Sequence, residues 1–136
     1  MTQPLVDLLN EALAWELRAQ IQYSHYAAYV RGIHRLHLQP HFAGEATESM
    51  THAQQVRDAI VKLGGEATRV AASDHFEHTT DYRVMLREAL KTEEKAAATY
   101  HVILQTIEGD DEMLDVIQQI SFEEERAVEE LKLLID

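Results

Sequence analysis

Four stretches of this chain carry apolar residues at intervals of three and four, which is the period of an amphipathic helix. Short breaker segments separate them. The breakers are Gly32, Pro40, the pair Gly64 and Gly65, and Gly109. Gly32 ends the first stretch, and Pro40 marks the start of the second. The pattern predicts four long helices at about residues 4–31, 38–63, 80–107 and 111–135.

Two side chains are expected to cap the later helices. Thr80 and Asp110 each precede a periodic stretch, and their side-chain oxygens can accept from free backbone N–H groups.

The chain has 136 residues, of which 46% are hydrophobic and 26% charged, with only two prolines. That balance is typical of a compact helical protein. We therefore predict an all-α fold in one domain covering residues 1–136.

The predicted connections differ greatly in length. About three residues join the third and fourth helices, whereas 16 residues from Gly64 to Thr79 separate the second and third. A helix of about 25 residues is about 38 Å long, and 16 extended residues reach about 50 Å. The long segment can thus run the length of a bundle and set helices two and three parallel. This predicts a four-helix bundle with one long crossover.

Charge and composition limit the partners. There are 24 acidic and 12 basic residues, giving a net charge of -12, and the basic residues are scattered. This excludes the basic stripe typical of nucleic-acid binding and favours metal ions. Without cysteine, only carboxylates and imidazoles remain as strong ligands.

Residues 1–15 lack a signal-peptide pattern, and no apolar run approaches about 20 residues. We therefore expect a cytoplasmic protein without membrane contact.

The first and third helices repeat each other at an offset of 77 residues. The matching pairs are Leu9/Leu86, Glu11/Glu88, Ala12/Ala89, Leu13/Leu90, Glu16/Glu93, Ala19/Ala96 and Tyr23/Tyr100. An acidic residue followed seven positions later by tyrosine in both helices is the most specific part of this repeat. It predicts two duplicated helical hairpins, although helices two and four repeat poorly.

Each helix places one polar residue in the middle of its apolar stripe. These residues are Glu16, His52, Glu93 and Glu123. On the fourth helix the expected inward stripe is Val116, Ile120, Glu123, Ala127, Leu131 and Leu134. Three buried carboxylates at one level repel one another or become protonated unless a cation neutralises them. A divalent metal is the simplest compensation.

Several motifs resemble those of the bacterioferritin and ferritin-like family over nearly the whole chain. They are Glu16 with Tyr23, Met50-Thr51-His52-Ala53, Glu93 with Tyr100, and Glu123-Glu-Glu-Arg126. In that family two helices each give one Glu and two each give Glu-x-x-His, which together bind two iron ions. The resemblance implies Glu16, His52, Glu93 and Glu123 as ligands of iron or manganese. It also implies a homo-oligomer that reacts ferrous iron with oxygen or peroxide.

Two positions depart from the family pattern. Ser49 stands where the family has Glu, and Arg126 stands where it has His. Three occupancies remain open. In the first, Glu16, His52 and Glu123 hold one metal and Glu93 pairs with Arg126. In the second, Arg126 neutralises the carboxylates and no metal is bound. In the third, Glu48 serves as a replacement ligand and two metals are bound.

Other features are weaker. Tyr23 and Tyr100 either hydrogen-bond to the carboxylates or pack in the core. Met50 lies where bacterioferritins place their haem-binding methionine, but apolar packing explains it and we predict no haem.

The predicted bundle and its altered site are compatible with two functions. The first is a metal-dependent, ferroxidase-like activity in iron handling or oxidative-stress protection. The second is a non-catalytic assembly or binding module that has lost the metal centre.

Overall fold

A computed structural model describes residues 2–72 and 75–135. These residues form four helices and contain no strand. The helices are α1 (Gln3–Tyr29), α2 (Arg35–Lys62), α3 (Tyr82–Thr106) and α4 (Asp111–Ile135). The prediction of an all-α four-helix fold is confirmed. None of these helices is long and apolar enough to cross a membrane.

Helix α2 begins earlier than Pro40 suggested. Pro40 lies inside the helix, where it cannot donate a hydrogen bond to the carbonyl of Leu36. Leu36 is exposed, so water can reach that carbonyl. The first turn is instead tied to the end of α1, because the Arg35 guanidinium donates to the carbonyl oxygens of Val30 at 2.9 Å and Ala28 at 3.1 Å. This contact between the end of α1 and the start of α2 is not visible in the helical period.

One of the two predicted N-caps is wrong and the other is confirmed. Asp81 caps α3, since its Oδ1 accepts from the backbone N–H of Arg83 at 2.9 Å; Thr80 precedes it. Asp81 has the extended backbone that a cap requires, with ψ of 115°. At α4, Oδ1 of Asp110 accepts from the N–H of Met113 at 3.0 Å, as predicted.

The crossover between α2 and α3 runs along α1. Its contacts with α1 are Thr68 with Asn10, Ala72 with Ala14, His75 with Arg18, and His78 with His25. Successive crossover residues thus meet successive turns of α1 in the same direction. The segment therefore carries the chain from one end of the bundle to the other, and α2 and α3 run parallel. The predicted long crossover is confirmed.

The core consists of two apolar clusters. The first includes Leu9, Leu13, Val56, Ile60, Ile103 and Ile117. The second includes Tyr26, Phe42, Met85, Leu86 and Leu131. Every helix contributes to both clusters, and each helix carries polar side chains where it passes from one to the other. The middle of the bundle is consequently a polar layer closed at both ends by apolar side chains.

Candidate metal centre

One buried ionisable residue from each helix lies in the polar layer. They are Glu16 of α1, His52 of α2, Glu93 of α3 and Glu124 of α4, each at most 3% exposed. Each takes an inward position of its helix, between apolar residues at spacings of three or four. Burial of those apolar neighbours therefore carries the polar side chain into the core.

The buried carboxylate of α4 is Glu124, whereas the sequence stripe placed Glu123 there. The buried apolar residues of α4 before it are Met113, Ile117 and Ile120. Both Glu123 and Glu124 follow Ile120 at helical spacing, so the period alone could not separate them. Packing of Ile117, in place of the expected Val116, turns Glu124 inward and leaves the Glu123 side chain 36% exposed.

The imidazole of His52 lies at the centre of the layer and has carboxylates on both sides. Its Nδ1 is 3.0 Å from Oε1 of Glu124 and 3.4 Å from Oε2 of Glu16. Its Nε2 is 3.0 Å from Oε2 of Glu123 and 3.9 Å from Oε1 of Glu48. His52 thus divides the acidic side chains into a buried inner group, Glu16 and Glu124, and a half-buried outer group, Glu48 and Glu123.

Arg126 does not enter the polar layer. It is exposed and forms no ion pair within residues 2–72 and 75–135. The expected pairing of Glu93 with Arg126 is therefore wrong. Because α4 presents Glu124 inward, Arg126 points to the surface. Glu93 is buried instead, and burial and the charge of Glu124 raise its pKa. Ser49, by contrast, is buried as its stripe predicted.

The two tyrosines of the repeat have different roles. The hydroxyl of Tyr100 donates a hydrogen bond of 2.7 Å to Oε2 of Glu16. The hydroxyl of Tyr23 is buried and has no hydrogen-bond partner in the described part of the chain. Of the two alternatives from the sequence, the carboxylate contact applies to Tyr100 and core packing applies to Tyr23. Burial is the main cause that raises the pKa of both tyrosines.

Three ionisable groups of the polar layer have raised pKa values. Burial, together with the charge of Glu16, raises the pKa of Glu124 to about 8. Burial and the charge of Glu124 raise the pKa of Glu93 well above its usual range. Burial alone would lower the pKa of His52, but hydrogen bonds to Glu124 and Glu16 and their charges outweigh it and raise it to about 11. At neutral pH, without metal, protons on these groups limit the negative charge of the core.

The outer group opens into a cleft between α2 and α4. The cleft has a volume of about 360 Å³ and is lined by Glu45, Glu48, Glu123, Arg126, Ala127 and Glu130. Burial and the charge of Glu48 raise the pKa of Glu45 to about 7. A run of carboxylates therefore connects the surface with His52. Glu48, a possible replacement ligand by its sequence position, therefore lines this cleft together with Glu45.

The donor set fits a metal ion of intermediate hardness. Each of the three buried carboxylates has one oxygen without a hydrogen-bond partner among the described residues: Oε1 of Glu16, Oε1 of Glu93 and Oε2 of Glu124. Unpaired buried carboxylate oxygens are costly. One oxygen of Glu16, one of Glu124 and one nitrogen of His52 also lie within 4.8 Å of one another. Carboxylates combined with one imidazole suit iron or manganese.

Comparison with known proteins agrees with this arrangement. A family model described as a ferritin-like domain matches residues 6–136. Helices, crossover and buried carboxylates define the class as a ferritin-like four-helix bundle, and the chain belongs to the ferritin-like family. The resemblance identified from the motifs is confirmed. A search of curated proteins finds no significant match.

Solved structures of similar proteins cover nearly the whole chain. A ferritin-like diiron-carboxylate protein from Bacillus anthracis str. Ames is 30% identical, with a TM-score of 0.89 over 99% of this chain and 97% of that one. A dodecameric thioferritin from Bacteroides fragilis, described as bacterioferritin-related, is 28% identical, with a TM-score of 0.85 over 97% and 84%. A DPS protein from Vibrio cholerae O1, a member of a broad superfamily of ferritin-like diiron-carboxylate proteins, is 17% identical, with a TM-score of 0.90 over 99% and 91%, and shows the shared fold.

Proposed function

We propose that this protein binds ferrous iron in the polar layer and oxidises it, as part of iron handling or protection against oxidants. The observation that carries the proposal is the set of three buried carboxylates, each with an oxygen that has no partner among the described residues; two of them contact the His52 imidazole. The inner ligands are Glu16, His52 and Glu124, and Glu93 is the further buried carboxylate of the layer. Glu123, the ligand expected from the resemblance, is assigned to the outer side of His52.

The geometry of His52 offers two alternative ion positions, because a neutral imidazole coordinates through one nitrogen at a time. An inner ion would take Nδ1 of His52 with Glu16 and Glu124, or an outer ion would take Nε2 with Glu123 and Glu48. Glu48 would then supply the carboxylate that Ser49 cannot. The outer position is half-exposed and adjoins the acidic cleft, so we propose that ions enter there.

The chemistry assigned to this site is oxidation of iron as the substrate. Two ferrous ions give one electron each, and one peroxide molecule accepts both electrons with two protons and yields two waters. When dioxygen is the oxidant, it accepts two electrons and two protons and yields one hydrogen peroxide. The residues of this chain bind the ions, exclude bulk water and move protons. Carboxyl groups such as Glu93 and Glu124, with raised pKa values, must release their protons when a cation binds.

Assembly into a homo-oligomer is part of the proposal. The similar protein from Bacteroides fragilis is dodecameric. Several apolar side chains of this chain are exposed on the outside of the bundle, namely Ile21, Met50, Val61, Val102 and Phe122. Packing of these side chains against a second copy of the chain would bury apolar surface and favour association.

The test combines elemental analysis with an oxidation assay. The protein is purified without chelator and analysed for iron and manganese, and ferrous iron is then added in air while the near-ultraviolet ferric absorbance is followed. We expect stoichiometric metal and oxidation faster than in buffer. The double variant Glu16→Gln, Glu124→Gln should lose both. The matched control Glu129→Gln, an exposed carboxylate on the same helix, should retain both.

The alternative function is a metal-free assembly or binding module. The observation that favours it is the hydrogen-bonded contact of His52 with Glu16 and Glu124, which lets protons neutralise the core. If the purified protein holds no metal, and ferrous iron oxidises no faster than in buffer, the alternative replaces the iron proposal. Stoichiometric bound metal would contradict the alternative.

A further inference from the structure

Arg18 is a buried cation outside the polar layer. It lies on α1 facing α3 and the crossover, and it is only 6% exposed. Its Nε donates to Oγ1 of Thr92 at 3.2 Å, and one terminal nitrogen donates to the carbonyl of His75 at 3.4 Å. Both partners are neutral. Within residues 2–72 and 75–135, Arg18 forms no ion pair, and its other terminal nitrogen, although buried, has no hydrogen-bond partner.

A buried guanidinium that has lost water and has no ion-pair partner is unfavourable, and Arg18 has no such partner among the described residues. The neutral contacts orient it without neutralising it. Thr92 donates in turn to Oε1 of Gln22 at 2.7 Å, so its hydroxyl hydrogen is already used and its oxygen accepts from Arg18. The arrangement holds the guanidinium in one position, and the two N–H groups of its buried terminal nitrogen have no acceptor among the described residues.

Arg18 opens into a cleft that carries further positive charge. The cleft has a volume of about 230 Å³ and is lined by Trp15, Arg18, His75, Glu88, Lys91, Thr92 and Lys95. The carboxylate of Glu88 lies 3.6 Å from the Lys91 ammonium. Among the described lining residues, three cationic side chains therefore meet one carboxylate, in a protein with a net charge of -12. The Arg18 guanidinium and the Lys95 ammonium each lie 5.7 Å from the centroid of a ring of Trp15.

We propose that this cleft between α1 and α3 binds a small tetrahedral oxyanion of the phosphate class. The guanidinium of Arg18, which lines the cleft, would attract the anion by its positive charge, and the ammonium groups of Lys91 and Lys95 would bind the anion's oxygens. The excess of two positive charges among the described lining residues suits a doubly charged anion.

This site is separate from the proposed iron centre, although it lies on the same two helices. Thr92 directly precedes Glu93, and Arg18 follows Glu16 by two residues. An anion that joins Arg18 to Lys91 and Lys95 would tie α1 to α3 beside the ligands Glu16 and Glu93. Phosphate is therefore expected to raise the thermal stability of the protein, because it binds the folded state alone.

The experiment uses Trp15, which is the only tryptophan of the chain. Inorganic phosphate is titrated into chelator-treated protein at constant ionic strength, with chloride as the balancing salt, while tryptophan emission and Tm are recorded. We expect a saturable change in emission and a rise in Tm. The double variant Lys91→Gln, Lys95→Gln, which changes only exposed side chains, should weaken phosphate binding at least tenfold.

Two further variants complete the test. Lys132→Gln removes an exposed lysine of α4, far from the cleft in sequence, and should bind phosphate within twofold of the unmodified protein. Arg18→Gln should abolish both the emission change and the phosphate-dependent rise in Tm. The proposal is overturned if the unmodified protein gives no saturable change, or if the double-lysine variant binds as tightly as Lys132→Gln. Neither measurement involves iron, so these results leave the proposed oxidation function untouched.

Discussion

Nδ1 of His52 lies 3.0 Å from Oε1 of Glu124 at the centre of the bundle. This contact joins α2 to α4 within the polar layer. It also identifies which of two consecutive glutamates faces the core, since the Glu123 side chain meets the opposite nitrogen and remains 36% exposed. The two glutamates should therefore differ in every property that depends on burial.

The first prediction concerns metal affinity. Glu124→Gln should weaken binding of Mn²⁺, used as a non-oxidising probe, by at least about tenfold, because it removes a buried ligand. Glu123→Gln should weaken the tighter binding event less, since its carboxylate is half-exposed. Calorimetric titration of both variants at one pH measures the difference. A larger loss of Mn²⁺ affinity in Glu123→Gln would indicate that Glu123 is the main ligand of α4, as the sequence predicted.

The second prediction concerns pH and the stability of the metal-free protein. The folded-state pKa of Glu124 is about 8 and that of His52 about 11, both above their ordinary values. Between the ordinary and raised values the folded state holds protons that the unfolded chain has released, so stability falls as pH rises. The contribution of Glu124 is complete below its ordinary pKa and is lost as pH rises through about 8.

Urea unfolding in the presence of chelator tests this pH dependence. The unfolding midpoint should be lower at pH 8.5 than at pH 5.5. Glu124→Gln imitates the protonated carboxyl group and should flatten the dependence. A midpoint that is constant, or that rises with pH, would contradict the assignment of a bound proton to Glu124.

The third prediction separates the two tyrosines of the repeat. Tyr100→Phe removes the hydroxyl that donates to Glu16 and should lower the free energy of unfolding by about 1–3 kcal/mol, since a buried carboxylate oxygen loses its donor. Tyr23→Phe removes a buried hydroxyl without a partner among the described residues and should be neutral or slightly stabilising. Chemical denaturation of the metal-free proteins checks both. Equal losses would indicate that the Tyr100 contact adds nothing.

The fourth prediction concerns the glycine at the start of the crossover. A Cβ at Gly65 would lie 2.7 Å from a side-chain carbon of Val6, so Gly65→Ala should destabilise the protein by about 1–3 kcal/mol through overpacking. Gly44 is exposed in α2 with no atom within 4 Å of the same position. Gly44→Ala should stabilise by about 0.5–1 kcal/mol, because alanine favours the helix. The same denaturation assay measures both, and a neutral Gly65→Ala would mean that the crossover can move away from α1.

The helical period and the breakers were enough to predict four helices and the long crossover. Helix boundaries were less certain. Pro40 suggested a late start for α2, but contacts of Arg35 with the carbonyl oxygens of α1 support an earlier one. Likewise, adjacent Thr80 and Asp81 could each have capped α3. Local pattern defines a helix well in its middle and poorly at its ends, where contacts with other helices contribute.

The sequence by itself determined the bundle and the positions of Glu16, His52 and Glu93 on inward stripes, because each lies among apolar residues that must be buried. Only the tertiary structure decided that Glu124 faces inward and that Arg126 points to the surface. Residues three and four positions after Ile120 both lie on its side of the helix. The choice between them depends on how Met113 and Ile117 pack against the other helices, and that packing is a property of the whole bundle.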